Sequence, residues 1–232
     1  SGVQFFENIV NENNMSPNHL IIHEIMGRNS GWLASKTAQY YMDRIKFKNS
    51  RHKSNDLLLN YSNERMHIHA LYIPEIEVNF DEECDRLQKI IKKNGCLNIF
   101  VSEGAFTSKI NRYLEKEGKT IDKDAFGHVR LDSIDTGKWL SKIISKYIDF
   151  DRVLIQKSGY YSRSSAPNKD DLEYIFKICD YASESAINGI CGLVGEDQRT
   201  YKINCIDFNE IKGDKQLDLQ LDWFTALQKR IK

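Results

Sequence analysis

The chain reads as an α/β protein with a mostly parallel sheet and flanking helices. Short apolar runs alternate with stretches of helical period along its length, the pattern of strands separated by crossover helices. The central runs are apolar at consecutive positions, as in strands covered on both faces. Only three prolines occur, Pro17, Pro74 and Pro167, each at the edge of an apparent element.

The elements follow in order. Leu20–Ile25 is the first strand; it ends in Met26-Gly27-Arg28, and beyond Gly31 a helical pattern takes over, with its start expected near Asn29. The stretch Lys46–Arg65 is polar, with Lys48, Asn49, Ser50, Arg51, His52, Lys53 and Ser54 in succession, and reads as a surface insertion. Ala70–Ile73 is the second strand. Asp81–Lys93 carries Cys84, Leu87, Ile90 and Ile91 on one helical face. Leu97–Val101 is the third strand, and Ile110–Gly118 a charged helix closed by glycine. Trp139, Leu140, Ile143, Ile144 and Tyr147 keep a helical period through Gly137–Tyr147, and Val153–Gln156 is the fourth strand. Leu172, Ile175, Phe176, Cys179 and Ala182 do the same through Asp170–Asn188. Ile203–Phe208 reads as a closing strand, and Lys212–Gln216 as a turn into the last helix.

Composition excludes several functional classes. Lys+Arg and Asp+Glu balance at 33 each, so no basic surface for nucleic acid or membrane is expected. Hydrophobic content of 41% over 232 residues is that of a folded chain, enough for one large α/β domain or two small ones. No apolar run approaches ~20 residues, and no signal peptide is visible. The five cysteines are odd in number and widely spaced, without a C-x-x-C pair, which argues against a disulfide framework or a zinc site. Cys84 and Cys179 fall on apolar helical stripes and read as core thiols. A reducing cytoplasm fits this pattern.

The run Ile22 to Ala34, IHEIMGRNSGWLA, carries the chemistry. A strand that enters a helix through glycines brings backbone N–H groups and the positive end of a helix dipole to one place, here with Arg28 beside them. That suits a phosphorylated ligand. Any α/β protein can carry a glycine at such a turn, so the bare pattern leaves a purely structural role open.

Other strings resolve the ambiguity by resemblance. Met26-Gly27-Arg28 with Gly31-Trp32-Leu33-Ala34 resembles the MGR-x-x-GWLA segment of phosphofructokinases, in particular the pyrophosphate-dependent branch. Leu71-Tyr72-Ile73-Pro74-Glu75, Asn98 to Ala105 (NIFVSEGA), Asp124 to Val129 (DAFGHV) and Gln156 to Ser164 (QKSGYYSRS) resemble further motifs of that family in the same order. The resemblance continues through Asp170-Asp171-Leu172 to Trp223-Phe224.

The resemblance implies transfer of a phosphoryl group from pyrophosphate to the 1-hydroxyl of fructose 6-phosphate, a step of glycolysis and gluconeogenesis, with Mg²⁺ and in a homo-oligomer. The alternatives are ATP as donor, or a non-catalytic truncated or split subunit that binds a sugar phosphate. Substrate-site roles fall on Met26, Gly27 and Arg28 beside the sugar phosphate, on Glu103 for the sugar hydroxyls, and on Tyr160, Tyr161, Ser162 and Arg163 as the phosphate-side wall. A guanidinium fork suits phosphate and a carboxylate suits hydroxyls. In the family the donor loop and the loop bearing the catalytic aspartate precede MGR. Fewer than thirty residues precede Met26 here, less than one βαβ unit. Residues 1–232 are therefore expected to be the C-terminal part of such a fold, with no catalytic residue and no metal ligand in this chain.

Three details test that expectation. Lys119-Thr120-Ile121-Asp122-Lys123-Asp124 imitates the family's catalytic K-T-I-D-x-D string but follows MGR, so Asp122 reads as a surface turn. His128, in the DAFGH string, reads as a turn residue. Many members place an arginine seven residues before the Met of MGR to reach a neighbouring subunit's sugar phosphate; His19 stands there, and neither Arg152 nor Lys157 aligns with the second such arginine.

Overall fold

The computed structural model describes residues 1–13, 16–51, 64–118, 135–197, 200–211 and 216–231. Two units separate: Ser1–Arg163 with Lys215–Lys232, and Ser164–Asp214.

The first unit is built on a parallel sheet of β1 (His19–Ile25), β2 (Ala70–Tyr72), β3 (Cys96–Ser102) and β4 (Arg152–Lys157), in the order β2-β3-β1-β4. Ile22 lies in register with Ile99 on one side and Ile155 on the other. Both β1 and β3 are buried along their full seven residues, which is why their sequences run apolar without alternation. Polar residues end three of the strands: His19 and Ser102 continue β1 and β3, and Lys157 extends β4 past the apolar runs. The ladder, not hydrophobicity, sets those ends.

Helices cover both faces. On one side, α1 (Gly2–Asn13), α2 (Trp32–Arg51) and the closing α8 (Asp222–Ile231) bring Phe6, Ala34, Ala38, Phe224 and Leu227 onto Ile21, Ile25 and Phe100. On the other, α3 (Phe80–Asn94), α4 (Thr107–Lys116) and α5 (Thr136–Ile144) set Leu87, Ile110 and Leu140 against Leu20, Ile22 and Ile99. Alternate β1 residues therefore feed opposite cores, as the period of a strand requires. The helix ends carry the expected chemistry. Asn79 accepts from the Asp81 N–H and Gly95 closes α3 at φ +67°, while Asp135 accepts from the Lys138 N–H at the start of α5. Helix α1 was not anticipated from the sequence, although Phe6 and Val10 at i, i+4 are its buried stripe.

One expectation changes here. Helix α2 continues to Arg51, so the first part of the stretch expected as an insertion is helical; residues 52–63 lie outside the described residues. The same holds for Asp122 and for Asp124 to Val129.

The second unit consists of α6's last residue, Ser164 of Gly159–Ser164, then α7 (Lys169–Ile187), an antiparallel hairpin of β5 (Leu193–Glu196) and β6 (Ile203–Ile206), and a 3₁₀ turn at Phe208–Glu210. A capping box starts α7: Asn168 accepts from the Asp171 N–H at 2.8 Å and Asp171 accepts from the Asn168 N–H at 3.2 Å. Cys84 is buried as expected, but Cys179 on α7 is exposed, because the helix lays a different stripe on its hairpin.

Candidate functional site

In an open parallel sheet the loops beyond the carboxyl ends of the strands form the natural crevice. Strands β3, β1 and β4 are neighbours there, and their exits carry Glu103, Met26 to Arg28, and Tyr160 to Arg163 respectively. The eight residues expected at a substrate site thus come from three adjacent strand ends, although 137 positions separate Met26 from Arg163.

Two of the turns are stitched together atom by atom. The Gly27 N–H donates to Glu103 Oε1 at 3.1 Å, and the Gly27 carbonyl accepts from Ser102 Oγ at 2.6 Å and from the Gly104 N–H at 3.0 Å. The Glu103 N–H donates in turn to the Ile25 carbonyl at 2.8 Å. Such an approach leaves no room for side chains. A Cβ on Gly104 would overlap the Arg28 carbonyl, and one on Gly27 (φ +154°) would strike the Ser30 carbonyl and lie 2.7 Å from Ser102 Oγ. The glycines are needed for the joint itself.

The third exit joins through Met26. Arg163 Nε donates to Met26 Sδ at 2.9 Å, and Gly159 sits against the Met26 side chain. Arg163 and Arg28 are exposed, Met26, Glu103 and Ser162 half-buried. Tyr160 is 85% exposed, while the Tyr161 ring packs 5.3 Å from that of Phe5 on α1. His19, in contrast, lies at the opposite end of β1 from Met26, buried, with Nδ1 2.7 Å from the Ser16 carbonyl.

The start of α2 differs from expectation. The helix begins at Trp32 rather than near Asn29, and the Gly31 N–H meets the Glu75 carboxylate at 2.9 and 3.1 Å. Glu75 also accepts from the Leu217 N–H at 2.8 Å. A protein carboxylate therefore already sits on the positive end of the α2 dipole.

Sequence reasoning missed a buried ionic group beside the site. Glu24, on β1, is 6% exposed and accepts from the Gly137 N–H at 2.8 Å. Lys157 Nζ lies 3.2 Å from Glu24 and 3.2 Å from Asp135. Burial pushes the Glu24 carboxyl above the ordinary range, opposed by the Gly137 N–H and by Lys157. A glutamate between Ile22 and Ile25 in an expected strand was the available signal. One residue earlier, His23 is fully buried between the rings of Phe5, Phe6 and Phe100, with neither ring nitrogen hydrogen-bonded. Burial alone brings its imidazole down to about 3.

Among the described residues no group of three or more His, Cys, Asp or Glu side chains is arranged to hold a metal ion. No described helix is long and apolar enough to cross a membrane.

Comparison with known proteins places this architecture. No family profile matches the chain. A protein of Methylomonas methanica named pyrophosphate–fructose 6-phosphate 1-phosphotransferase is 37% identical over 234 residues, which cover 99% of this chain and 55% of the relative. Proteins of the same name from Propionibacterium freudenreichii subsp. shermanii and Mastigamoeba balamuthi are 39% and 38% identical, over 99% and 98% of this chain and 56% and 55% of their own lengths. Among solved structures, the pyrophosphate-dependent phosphofructokinase from Nitrosospira multiformis superposes with a TM-score of 0.57 at 15% identity, over 94% of this chain and 46% of that one. The pyrophosphate-dependent phosphofructokinase from Marinobacter aquaeolei gives 0.56 at 16% identity, over 97% and 51%. These two likenesses are of fold. The sequence identity extends over nearly the whole chain, which is thus similar to pyrophosphate–fructose 6-phosphate 1-phosphotransferases and spans about half the length of the curated relatives it matches.

Proposed function

We propose that the chain supplies the acceptor-sugar half of a phosphotransferase that moves a phosphoryl group from pyrophosphate to the 1-hydroxyl of fructose 6-phosphate. The observation that carries this reading is the convergence of Met26 to Arg28, Glu103, and Tyr160 to Arg163 on three adjacent strand exits, in a chain 37–39% identical to relatives of that name. In the reaction a P–O bond of pyrophosphate breaks, a P–O bond to the sugar oxygen forms, orthophosphate leaves, and a base takes the hydroxyl proton. Catalysis of this kind is largely positioning and charge neutralisation.

Within it the residues of this chain bind and orient. Arg28 and Arg163 bring guanidinium groups to the sugar phosphate, and the bond from Arg163 Nε to Met26 Sδ fixes the plane of that fork. Glu103 is held through Oε1 by the Gly27 N–H, which aims the carboxylate at the sugar hydroxyls. On this reading the donor loop, the catalytic base and the ligands of Mg²⁺ lie outside residues 1–232. Mg²⁺, to which no residue of this chain is assigned as a ligand, would supply charge neutralisation to such a transfer.

Isothermal titration with fructose 6-phosphate tests the site, with inorganic phosphate as a control. Arg163→Ala is expected to weaken sugar-phosphate binding by about 1.5–3 kcal/mol, the range for a charge-assisted contact. Unchanged affinity removes Arg163 from the site, and absent binding by the unaltered chain removes the acceptor role.

A further inference from the structure

Along α5 runs positive charge that no described carboxylate answers. Lys138 and Lys142 stand one turn apart on that helix, and Lys146 follows in the turn beyond it, all three exposed. Like charges at i, i+4 repel each other, yet none of the three side chains forms an ion pair. Lys142 and Lys146 line a cavity of about 360 Å³, whose other walls are Tyr113 of α4 with Trp139, Ile143 and Ser145.

One of those walls holds an unmet donor. Trp139 is 9% exposed, and its ring packs 5.7 Å from that of Phe80 and 5.5 Å from that of Phe106. Its Nε1–H finds no acceptor on the protein. A buried indole N–H ordinarily has one, because an unpaired donor forfeits the hydrogen bond that water would give it.

Concave sites of this size, apolar with a few convergent polar groups, are those that take small molecules. The polar groups here set the class of ligand. Lysine ammonium and indole N–H groups are donors only, so the ligand must bring acceptors and negative charge. The Tyr113 and Trp139 rings suit a flat apolar body. No residue of the proposed sugar-phosphate site lines the cavity.

We propose that this cavity binds a small planar organic anion. The anionic group meets Lys142 and Lys146, the ring lies against Tyr113, and an acceptor atom takes the Trp139 Nε1–H. None of this rests on the sugar-phosphate reading.

Titration of the chain with 6-hydroxynaphthalene-2-carboxylate tests it, followed by calorimetry and by the indole N–H signals in nitrogen-15 NMR. The three tryptophans give three signals, and Trp139→Phe assigns the one in the cavity. Saturable binding is expected, with the Trp139 indole proton moving downfield and the Trp32 and Trp223 signals unmoved. Lys142→Ala and Lys146→Ala together should weaken affinity at least about 10-fold. Both lysines are exposed, and unmoved Trp32 and Trp223 signals report that the fold of the variant is kept. The neutral 2-naphthol and inorganic phosphate should each bind at least about 10-fold more weakly than the carboxylate. Four results overturn the proposal. They are no saturable binding below about 10 mM, equal affinity for 2-naphthol, full affinity in the double lysine variant, and a Trp139 signal that does not move.

Discussion

The sheet unit and the helix–hairpin unit are written with the same kinds of residue and bury them very differently. Phe100 on β3 is fully buried against Phe6, Tyr41 and His23, whereas Phe176 on α7 is 67% exposed. Period and hydrophobicity predict a buried face for both segments. Tertiary completeness decides which one obtains it: four strands with helices on both faces enclose a core, while one helix on two strands cannot.

The largest expected effect breaks the comparison from the sheet side. Phe100→Ala should cost about 3–5 kcal/mol, because a large side chain is deleted from a site with no room to collapse; urea denaturation measures it. A loss below about 1 kcal/mol would mean that the sheet core is as loosely filled as the hairpin. Next, Gly104→Ala should cost about 3 kcal/mol, since its methyl must displace the Arg28 carbonyl. The same geometry at Gly27 makes substitution there a cost to the fold. Unchanged melting of Gly104→Ala would show that the two exits are not stitched as described.

The third effect depends on pH. His23 has its folded pKa pushed down to about 3 by burial, against ~6.5 unfolded. Between those values the unfolded chain binds a proton that the folded chain refuses, so stability is full at pH 7.5 and falls as pH drops below ~6.5. At pH 5 the loss from His23 is about 2 kcal/mol. Buried His69, whose Nδ1 accepts the Asn98 N–H at 2.9 Å and whose pKa burial lowers to about 4, acts in the same direction. His23→Leu should therefore flatten, without abolishing, the fall in unfolding free energy between pH 7.5 and pH 5; an unaltered slope would place the titration elsewhere. The smallest effect comes from the other region. Phe176→Ala in the chain alone should change stability by less than about 0.5 kcal/mol, as for an exposed surface position. A loss near that of Phe100→Ala would erase the contrast between the two units.

Much of the candidate site was legible because its parts are short strings at the ends of apolar runs. Met26 to Arg28, Glu103 and Tyr160 to Arg163 each follow a strand that the sequence marks. Adjacency was not legible. The order β2-β3-β1-β4 puts β1 between β3 and β4, and no local pattern encodes which strands become neighbours. Glu24, Lys157 and Glu75 were missed as a group for the same reason: their roles exist only where Gly137, Asp135, Gly31 and Leu217 are brought to them across the fold.

What the sequence determined by itself is therefore local and periodic. Apolar period and capping residues settle the type and order of the elements, since those depend on neighbours a few positions away. Only the tertiary structure decided that Glu75 occupies the α2 N-terminus, that the glycines at 27 and 104 serve a backbone joint, and that α7 keeps an apolar stripe open. Each depends on which distant group comes within a few ångströms, and hydrogen bonding and burial act at that range alone.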